Sequence, residues 1–598
     1  MHGDYAGTMP APEIALTQRF QTAFASAFGP EFAEADPIIR PSQFADFQCN
    51  AAMGLAKRLG KKPRDIAAEI LAVVDLEDIA ETPEIAGPGF LNIRLRTDWI
   101  AAQTAELSAD ARLGVASPED PDTVVVDYSA PNVAKEMHVG HLRTTVVGDS
   151  IVRTLEKLGH SVIRQNHIGD WGTPFGMLIE HLLEVGEDSA EADLLRTDPN
   201  AFYQAARAKF DTAEQEGSRG AGLEGSDFAS RARRRVATLQ SGDPESLRIW
   251  TNLVDLSKQY FHRIYDMLDV TLTDEHLAGE STYNDQLELV CKDLEADGIA
   301  RISDGALCVF PKGFTGRDEQ PLPLIIRKSD GGYGYATTDL AAVRHRVGTL
   351  GADRIAYVVG SAQELHFQMV FASTREAGWL PESVEAQHVK IGSVLGEDGK
   401  ILRTRSGSSL RLMALLEEAV GKARAVIDEL RPDLPEAERE QIAHDIGIGG
   451  VKYADLSTAH DSDYTFDLDR MLALTGNTAP YLQYAVARIR SIGRKAEAQG
   501  ITAAAAPRVE NDAERALALA LLEFGPTLEA VGAEYEPHRL CAYLFSLAQA
   551  FTSFYEASPI LKESDAELRA GRLALAQLTE RVLVEGLDAL GVNAPEQM

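Results

Sequence analysis

Cysteine is scarce in this chain: Cys49, Cys291, Cys308 and Cys541 are the only four in 598 residues, and no two form a CxxC pair. That spacing offers no zinc framework and no disulfide scaffold, and it fits a reducing compartment. Long apolar runs are missing too. No segment approaches about 18 uncharged apolar residues, and no basic-then-apolar leader opens the chain, so a cytoplasmic protein with no membrane partner is expected. Positive charge is also in short supply, with 58 Lys and Arg against 91 Asp and Glu and a formal net charge of −33. Taken alone, this balance argues against nucleic-acid partners, because phosphate contacts require cations; a local basic face on an acidic body stays compatible with it. No internal repeat and no disordered tail is visible.

What is present is ordinary for a globular protein: 45% hydrophobic and 25% charged residues. The length exceeds what one core can organise, and roughly three to five domains follow. The most informative stretch runs from Val124 to Gly172. It opens on Val124-Val125-Val126, an apolar run of the kind buried on both faces of a parallel sheet. A loop with Pro131, Asn132, Lys135, His138, Gly140 and His141 follows. Val147, Ile151, Leu155 and Leu158 then share one helical stripe, and Gly159 supplies the stop. A second strand from Val162, with a glycine-bearing end at Gly169, completes a βαβ unit. Ligands of such sheets sit where strands end and helices begin, which is where His138 and His141 fall. A helix entrance suits a phosphate chain because its N–H groups are unpaired and carry partial positive charge. Gly140 allows close approach, and imidazole donors act more strongly as charge grows on a pentavalent phosphorus. An isolated HxxH would read as a surface or metal-binding pair. The strand before it, the glycine inside and the helix after it favour phosphate.

Other stretches are more open. Helical apolar spacing at Phe47, Ala51, Leu55 and Leu59 accompanies Lys57, Arg58, Lys61, Lys62 and Arg64, on composition a solvated helix end. Gly87 to Leu95 reads as a strand-like close, and Pro118 to Asp122 as a linker. The polar block from Glu214 to Arg235 reads as an exposed insertion whose basic run is a solvated helix face, with RNA contact as the alternative. Leu324-Ile325-Ile326 reads as a buried strand where the second half of the sheet returns. Tyr335 and Asp339 sit four apart on one helical face. A carboxylate beside a ring can hold a guanidinium by paired hydrogen bonds and stacking, although spacing alone favours a capped helix with a surface acid. Ile355 to Val359 is another buried strand. Beyond about residue 410 the chain turns helical. There Pro480 suits a first helical position, and Tyr481, Tyr484 and Arg488 share a face. That face can stack on unpaired bases or, as readily, pack in a bundle core.

The HVGH in this setting resembles the HIGH signature of class I aminoacyl-tRNA synthetases. The flanking SAPNVAKEMHVGHLR and NHIGDWGTPFGMLIEHL resemble arginyl-tRNA synthetases specifically, and the likeness extends over essentially the whole chain. It implies a multidomain α/β protein: an α+β N-terminal domain at 1–117 that binds the tRNA elbow, and a Rossmann-like parallel-sheet catalytic domain at 118–410 with an insertion at about 187–320. A helical connective region at 411–460 and an all-α anticodon-binding domain at 461–598 would follow. The implied reaction activates L-arginine with ATP to arginyl-adenylate and pyrophosphate, then passes arginine to the terminal adenosine of tRNA(Arg). The resemblance further implies activation only with tRNA bound, Mg²⁺ accompanying ATP without a protein-ligated metal, and a monomer. It assigns His138, Gly140 and His141 to the ATP phosphates, and Asn132, Glu280, Tyr335, Asp339 and Gln363 to arginine. His366 would contact adenosine, and Tyr481, Tyr484 and Arg488 the tRNA.

Two departures stand out. Where the class carries its KMSKS loop, this chain has GSVLGEDGKILRTRSG, offering Lys400, Arg403 and Arg405 around Thr404 and Ser406. Many arginyl-tRNA synthetases look degenerate in the same way, and the resemblance gives the missing charge to Lys135, upstream of HVGH. Pro174 stands where a glutamine is expected. Among other readings, a cysteine-type synthetase would want a zinc thiolate cluster, and an acidic pocket opposes glutamate. A nucleotidylyltransferase leaves the terminal domains without a role, and a non-catalytic tRNA scaffold has no use for two intact histidines. Lysine lacks the planar fork of arginine, so no editing domain is expected.

Overall fold

A computed structural model describes residues 11–133, 135–215, 226–316, 319–329, 331–402 and 411–598. At its centre four parallel strands lie in the order Glu385–Ile391, Arg354–Gly360, Thr123–Asp127, Ser161–Gln165. Val124, Val125 and Val126 are fully buried, and Val125 pairs with Ile355 on one side and Ile163 on the other. β-Branched residues suit this doubly covered position. The helix Val139–Leu158 connects the inner strand outward to Ser161–Gln165, and the helix Glu364–Glu376 connects Arg354–Gly360 outward the other way. The two crossovers diverge, so the sheet reverses its order between Thr123–Asp127 and Arg354–Gly360. A ligand crevice is expected at the carboxyl ends of those strands.

The helix Val139–Leu158 buries its expected stripe, and Gly159 ends it at φ 99° in the left-handed region that glycine tolerates. It is buried well beyond one stripe because C-terminal helices cover its other side: Ser150 Oγ donates to Ala589 O, and Leu158 packs against Gly532. Those helices, Ala479–Ala498, Asp512–Leu522, Phe524–Glu534, Pro537–Ala557 and Ala566–Ala589, form a bundle whose apolar core is continuous with that of the parallel sheet. The stretch Asp512–Glu534 is apolar enough to cross a membrane by length and composition, yet half of it is buried in this bundle and it divides into two helices.

Near the amino terminus, Ile39–Pro41, Phe47–Cys49, Phe90–Ile93 and Glu84–Ala86 make an antiparallel sheet in that order, backed by the helices Pro12–Phe28, Ala51–Leu59 and Pro63–Leu71. Phe47 is therefore in a strand and not in a helix. The helix starts only at Ala51, because Phe47 pairs with Ile93 across the sheet. Leu324–Arg327 also departs from expectation. It closes a separate three-stranded antiparallel sheet with Ala300–Ser303 and Ala306–Val309, which leaves Ile325 48% exposed. The block ending at Arg235 is not a free solvated face. Its helix, Phe228–Gln240, packs on Thr173–Val185, where Arg231 and Arg235 pair with Glu180, Arg231 also with Glu184, and Arg233 with Glu214.

Candidate active site

The HVGH entrance builds itself from local hydrogen bonds. His138 is the cap of Val139–Leu158, and its Nδ1 accepts from the Gly140 N–H at 3.1 Å. The Nδ1 of His141 in turn accepts from the His138 N–H at 3.1 Å. This is a capping box made of imidazoles, a variant of the Ser–Glu arrangement. With each Nδ1 accepting, the proton of each neutral ring lies on Nε2. Both rings are held neutral. Burial, helped by the charge of Lys135, lowers the His138 pKa, and burial beside His138 lowers that of His141 to about 3. The pair, with ring centroids 4.0 Å apart, thus offers two Nε2–H donors at a helix entrance. A Cβ on residue 140 would sit 2.8 Å from the His138 ring, so glycine is needed there.

A cavity of about 550 Å³ is lined by Trp171, Arg233, Glu280, Lys328, Tyr335 and Thr338 among others. Burial, then the neighbouring carboxylates of Asp170 and Asp339, push the Glu280 pKa up to about 8. Asp170 is 4% exposed and accepts from both the Ser281 N–H at 2.9 Å and the Ser281 hydroxyl at 2.6 Å, which holds the turn that carries Glu280. Tyr335 and Asp339 share the first turns of the helix Tyr335–Gly348, in keeping with their spacing. Asp339 bonds His366 Nε2 at 2.6 Å, and the His366 ring stands edge-on to Tyr335 at 4.9 Å. His366 thus joins the acidic group. Asn132 and Gln363 are both exposed: Asn132 bridges to Gly169 by backbone, and Gln363 precedes the helix Glu364–Glu376. Carboxylates gathered this closely repel one another, so a bound cation that offers several N–H donors would relieve the site. The carboxylate that residue patterns miss is Asp170. Its signal is its place just past a strand end, in GDW.

The Lys135 ammonium lies over the Tyr203 ring at 4.6 Å. Arg411 pairs with Glu136 and Asp198 and bridges to His138, tying residues 411–412 to the HVGH loop. Lys400 is exposed on a hairpin in which Gly396 N–H donates to Lys400 O. Arg405, with Arg403, lies outside the described residues. In the bundle, Arg488 lies over the rings of Tyr484 at 4.8 Å and Tyr555 at 5.4 Å, an exposed aromatic platform. Tyr481 is turned inward against Phe545.

Comparison with known proteins covers nearly all of the chain. Residues 103–468 match the family described as tRNA synthetases class I (R), catalytic domain. Residues 15–95 match the arginyl tRNA synthetase N terminal domain, and 482–598 the DALR anticodon binding domain. An arginine–tRNA ligase of Thermobifida fusca is 63% identical over 590 residues, covering 99% of this chain and 100% of that one. Another, of Streptomyces avermitilis, is 47% identical over 593 residues, covering 97% and 98%. The solved arginyl-tRNA synthetase of Plasmodium falciparum matches with a TM-score of 0.81 at 27% identity, covering 99% of this chain and 100% of that one. That of Thermus thermophilus matches at 0.78 and 26%, covering 98% and 99%.

Proposed function

The chain belongs to the arginyl-tRNA synthetase family, and from that premise we infer how its residues divide the work of an arginine–tRNA ligase. The observation that carries the reading is Glu280, half-buried beside Asp170 and Asp339 at the end of the sheet that also presents the HVGH entrance. Glu280 and Asp339 take the guanidinium of arginine by paired hydrogen bonds, and Tyr335 stacks on it. Asn132 and Gln363 hold its amino-acid end, and His366 orients Asp339 while facing the adenosine. The arginine carboxylate attacks the α-phosphorus of ATP, and the bond to the leaving pyrophosphate breaks in line. Charge rises on the phosphate oxygens, where the Nε2–H groups of His138 and His141 donate. Lys135, Lys400 and Arg405 neutralise the departing pyrophosphate. A hydroxyl of the tRNA's terminal ribose then attacks the acyl carbon and expels AMP.

Mg²⁺, where it accompanies ATP, would supply charge screening for the phosphates. Among the described residues no three His, Cys, Asp or Glu side chains converge to hold it. Tyr484 and Arg488 grip an unpaired base of the tRNA, with Tyr481 bracing their helix, and the run from Lys57 to Arg64 lies against the tRNA elbow. Activation waits for the tRNA. The molecule works as a cytoplasmic monomer with domains at 1–117, 118–410, 411–460 and 461–598. Glu280→Gln tests the pocket. It should raise the KM for arginine in pyrophosphate exchange by roughly 30- to 1,000-fold, because a buried charged pair is lost, with tRNA affinity unchanged. An unchanged KM would remove Glu280 from the pocket.

A further inference from the structure

Arg143, two residues beyond His141, is among the largest fully buried side chains of the molecule, and its ionic partner lies 312 residues away. Its Nε donates to Asp455 at 3.0 Å, its Nη1 donates to Ser462 O at 2.7 Å, and its guanidinium lies 5.1 Å over the Tyr464 ring. The Tyr464 hydroxyl donates to the other Asp455 oxygen at 3.3 Å. Arg143 and Asp455 side chains are both 0% exposed.

The segment Arg143 holds does something specific. Residues 460–466 carry the base of the hairpin that bears Lys400. Gly392 N–H donates to His460 O, Ser393 N–H to the Asp463 carboxylate, and Phe466 N–H to Leu395 O. Val394–Leu395 runs parallel to Tyr464–Thr465, and Leu402 N–H closes the hairpin on Val394 O. Arg143 therefore links the helix that presents the two histidines to the strap from which the cation-bearing hairpin hangs. The same strap continues through residues 467–478 into the helix Ala479–Ala498, which carries Tyr484 and Arg488.

Stability alone is a poor reason for this pair. Buried ion pairs are often matched or exceeded by apolar residues of similar volume, and Arg143 Nη2 is buried with no hydrogen-bond partner among the described residues. What two directional bonds from one guanidinium do, and packed hydrocarbon does not, is fix a distance and an angle between two segments. We propose that Arg143 is a positioning residue for adenylate formation: through Asp455, Ser462 and Tyr464 it sets the Lys400 hairpin against the HVGH entrance, so that both arms close on one phosphate chain. The proposal rests on the reading above. It also gives tRNA seated on Ala479–Ala498 a mechanical route to the ATP site.

The test removes the pair without leaving a lone buried charge. In the double variant Arg143→Met/Asp455→Leu the melting temperature, the arginine affinity and the tRNA affinity should stay near those of the unaltered protein. Arginine-dependent pyrophosphate exchange should fall about ten- to a hundredfold, with a raised KM for ATP, as expected when reacting groups are misplaced by about an ångström. A second variant keeps the pair and wedges the junction. A Cβ at Gly392 would lie 2.5 Å from Ser462 O and 2.9 Å from Arg143 Nη1, so Gly392→Ala should show the same raised KM for ATP. If the double variant does not fold, Gly392→Ala decides alone. Exchange within twofold of the unaltered protein overturns the proposal. So does a uniform loss of all three affinities together with melting temperature, which marks a merely structural pair. No exchange in the unaltered protein overturns the functional reading with it.

Discussion

At the scale of the residue, Glu280 makes the sharpest statement. Its folded-state pKa of about 8 stands above the ordinary 4.5, so between those values the free protein holds a proton that the unfolded chain has released. The contribution of this group to stability is complete below about pH 4.5 and is lost as pH rises towards 8. In the pocket proposed above a guanidinium needs the carboxylate, so binding arginine there would expel the proton. Arginine affinity should therefore strengthen by up to about tenfold per pH unit between 6.5 and 8. Calorimetry in buffers of different ionisation enthalpy measures that release, and Glu280→Gln should flatten it. A pH-independent affinity in the unaltered protein would contradict the assignment. Single residues are also where the sequence speaks least clearly. Asp170 reaches the site only because Ser281, 111 positions away, folds against it. Tyr481 shares a helical face with Tyr484 in the sequence, yet Phe545 draws it inward.

At the scale of the element, the helix entrance with its paired imidazoles is the part to which the proposed function gives the phosphates. Gly140→Ala should displace the His138 ring, which a Cβ would meet at 2.8 Å. Losing one cap costs only about 1 kcal/mol of stability, whereas the misplaced donor should cost roughly tenfold or more in pyrophosphate exchange. Unchanged exchange with a displaced ring would mean that His138 does not meet the phosphates. Elements with a strong period are legible in the amino-acid pattern: the Val147–Ile151–Leu155–Leu158 stripe, the valine strand and the Tyr335–Asp339 face all hold. Short apolar runs are not. Leu324-Ile325-Ile326 reads as a sheet-core strand, but periodicity cannot tell which sheet a strand of four residues joins. The arginines of Phe228–Gln240 read as solvated because their partners Glu180, Glu184 and Glu214 lie on other helices.

At the scale of the whole molecule, the two ends of the chain meet. Arg515, on the bundle helix Asp512–Leu522, bonds Asp46, Leu95 O at 2.7 Å and Thr97 Oγ1 at 3.1 Å, and Val509 and Ala518 enter the core of the N-terminal domain. Arg515→Ala leaves the Asp46 carboxylate with the Leu95 N–H but without its cation, and should weaken this junction by about 3–5 kcal/mol. Residues 11–95 should then become protease-sensitive at lower urea, with arginine binding intact and the KM for tRNA raised several-fold. A single unchanged unfolding transition would show that the contact carries no weight. The net charge of −33 leaves room for RNA where cations gather locally, and the run from Lys57 to Arg64, in which Lys61 is paired with Glu69, is one such place on an otherwise acidic body.

In the proposed function the acidic pocket, the paired histidines and the C-terminal bundle serve one reaction. Pyrophosphate exchange into ATP, run with each of the 20 amino acids with and without bulk tRNA, tests that union most directly. Exchange is expected with arginine alone, and only when tRNA is present. Exchange with arginine in the absence of tRNA would contradict the dependence on a seated tRNA, and exchange driven by another amino acid would contradict the pocket built from Glu280, Tyr335 and Asp339.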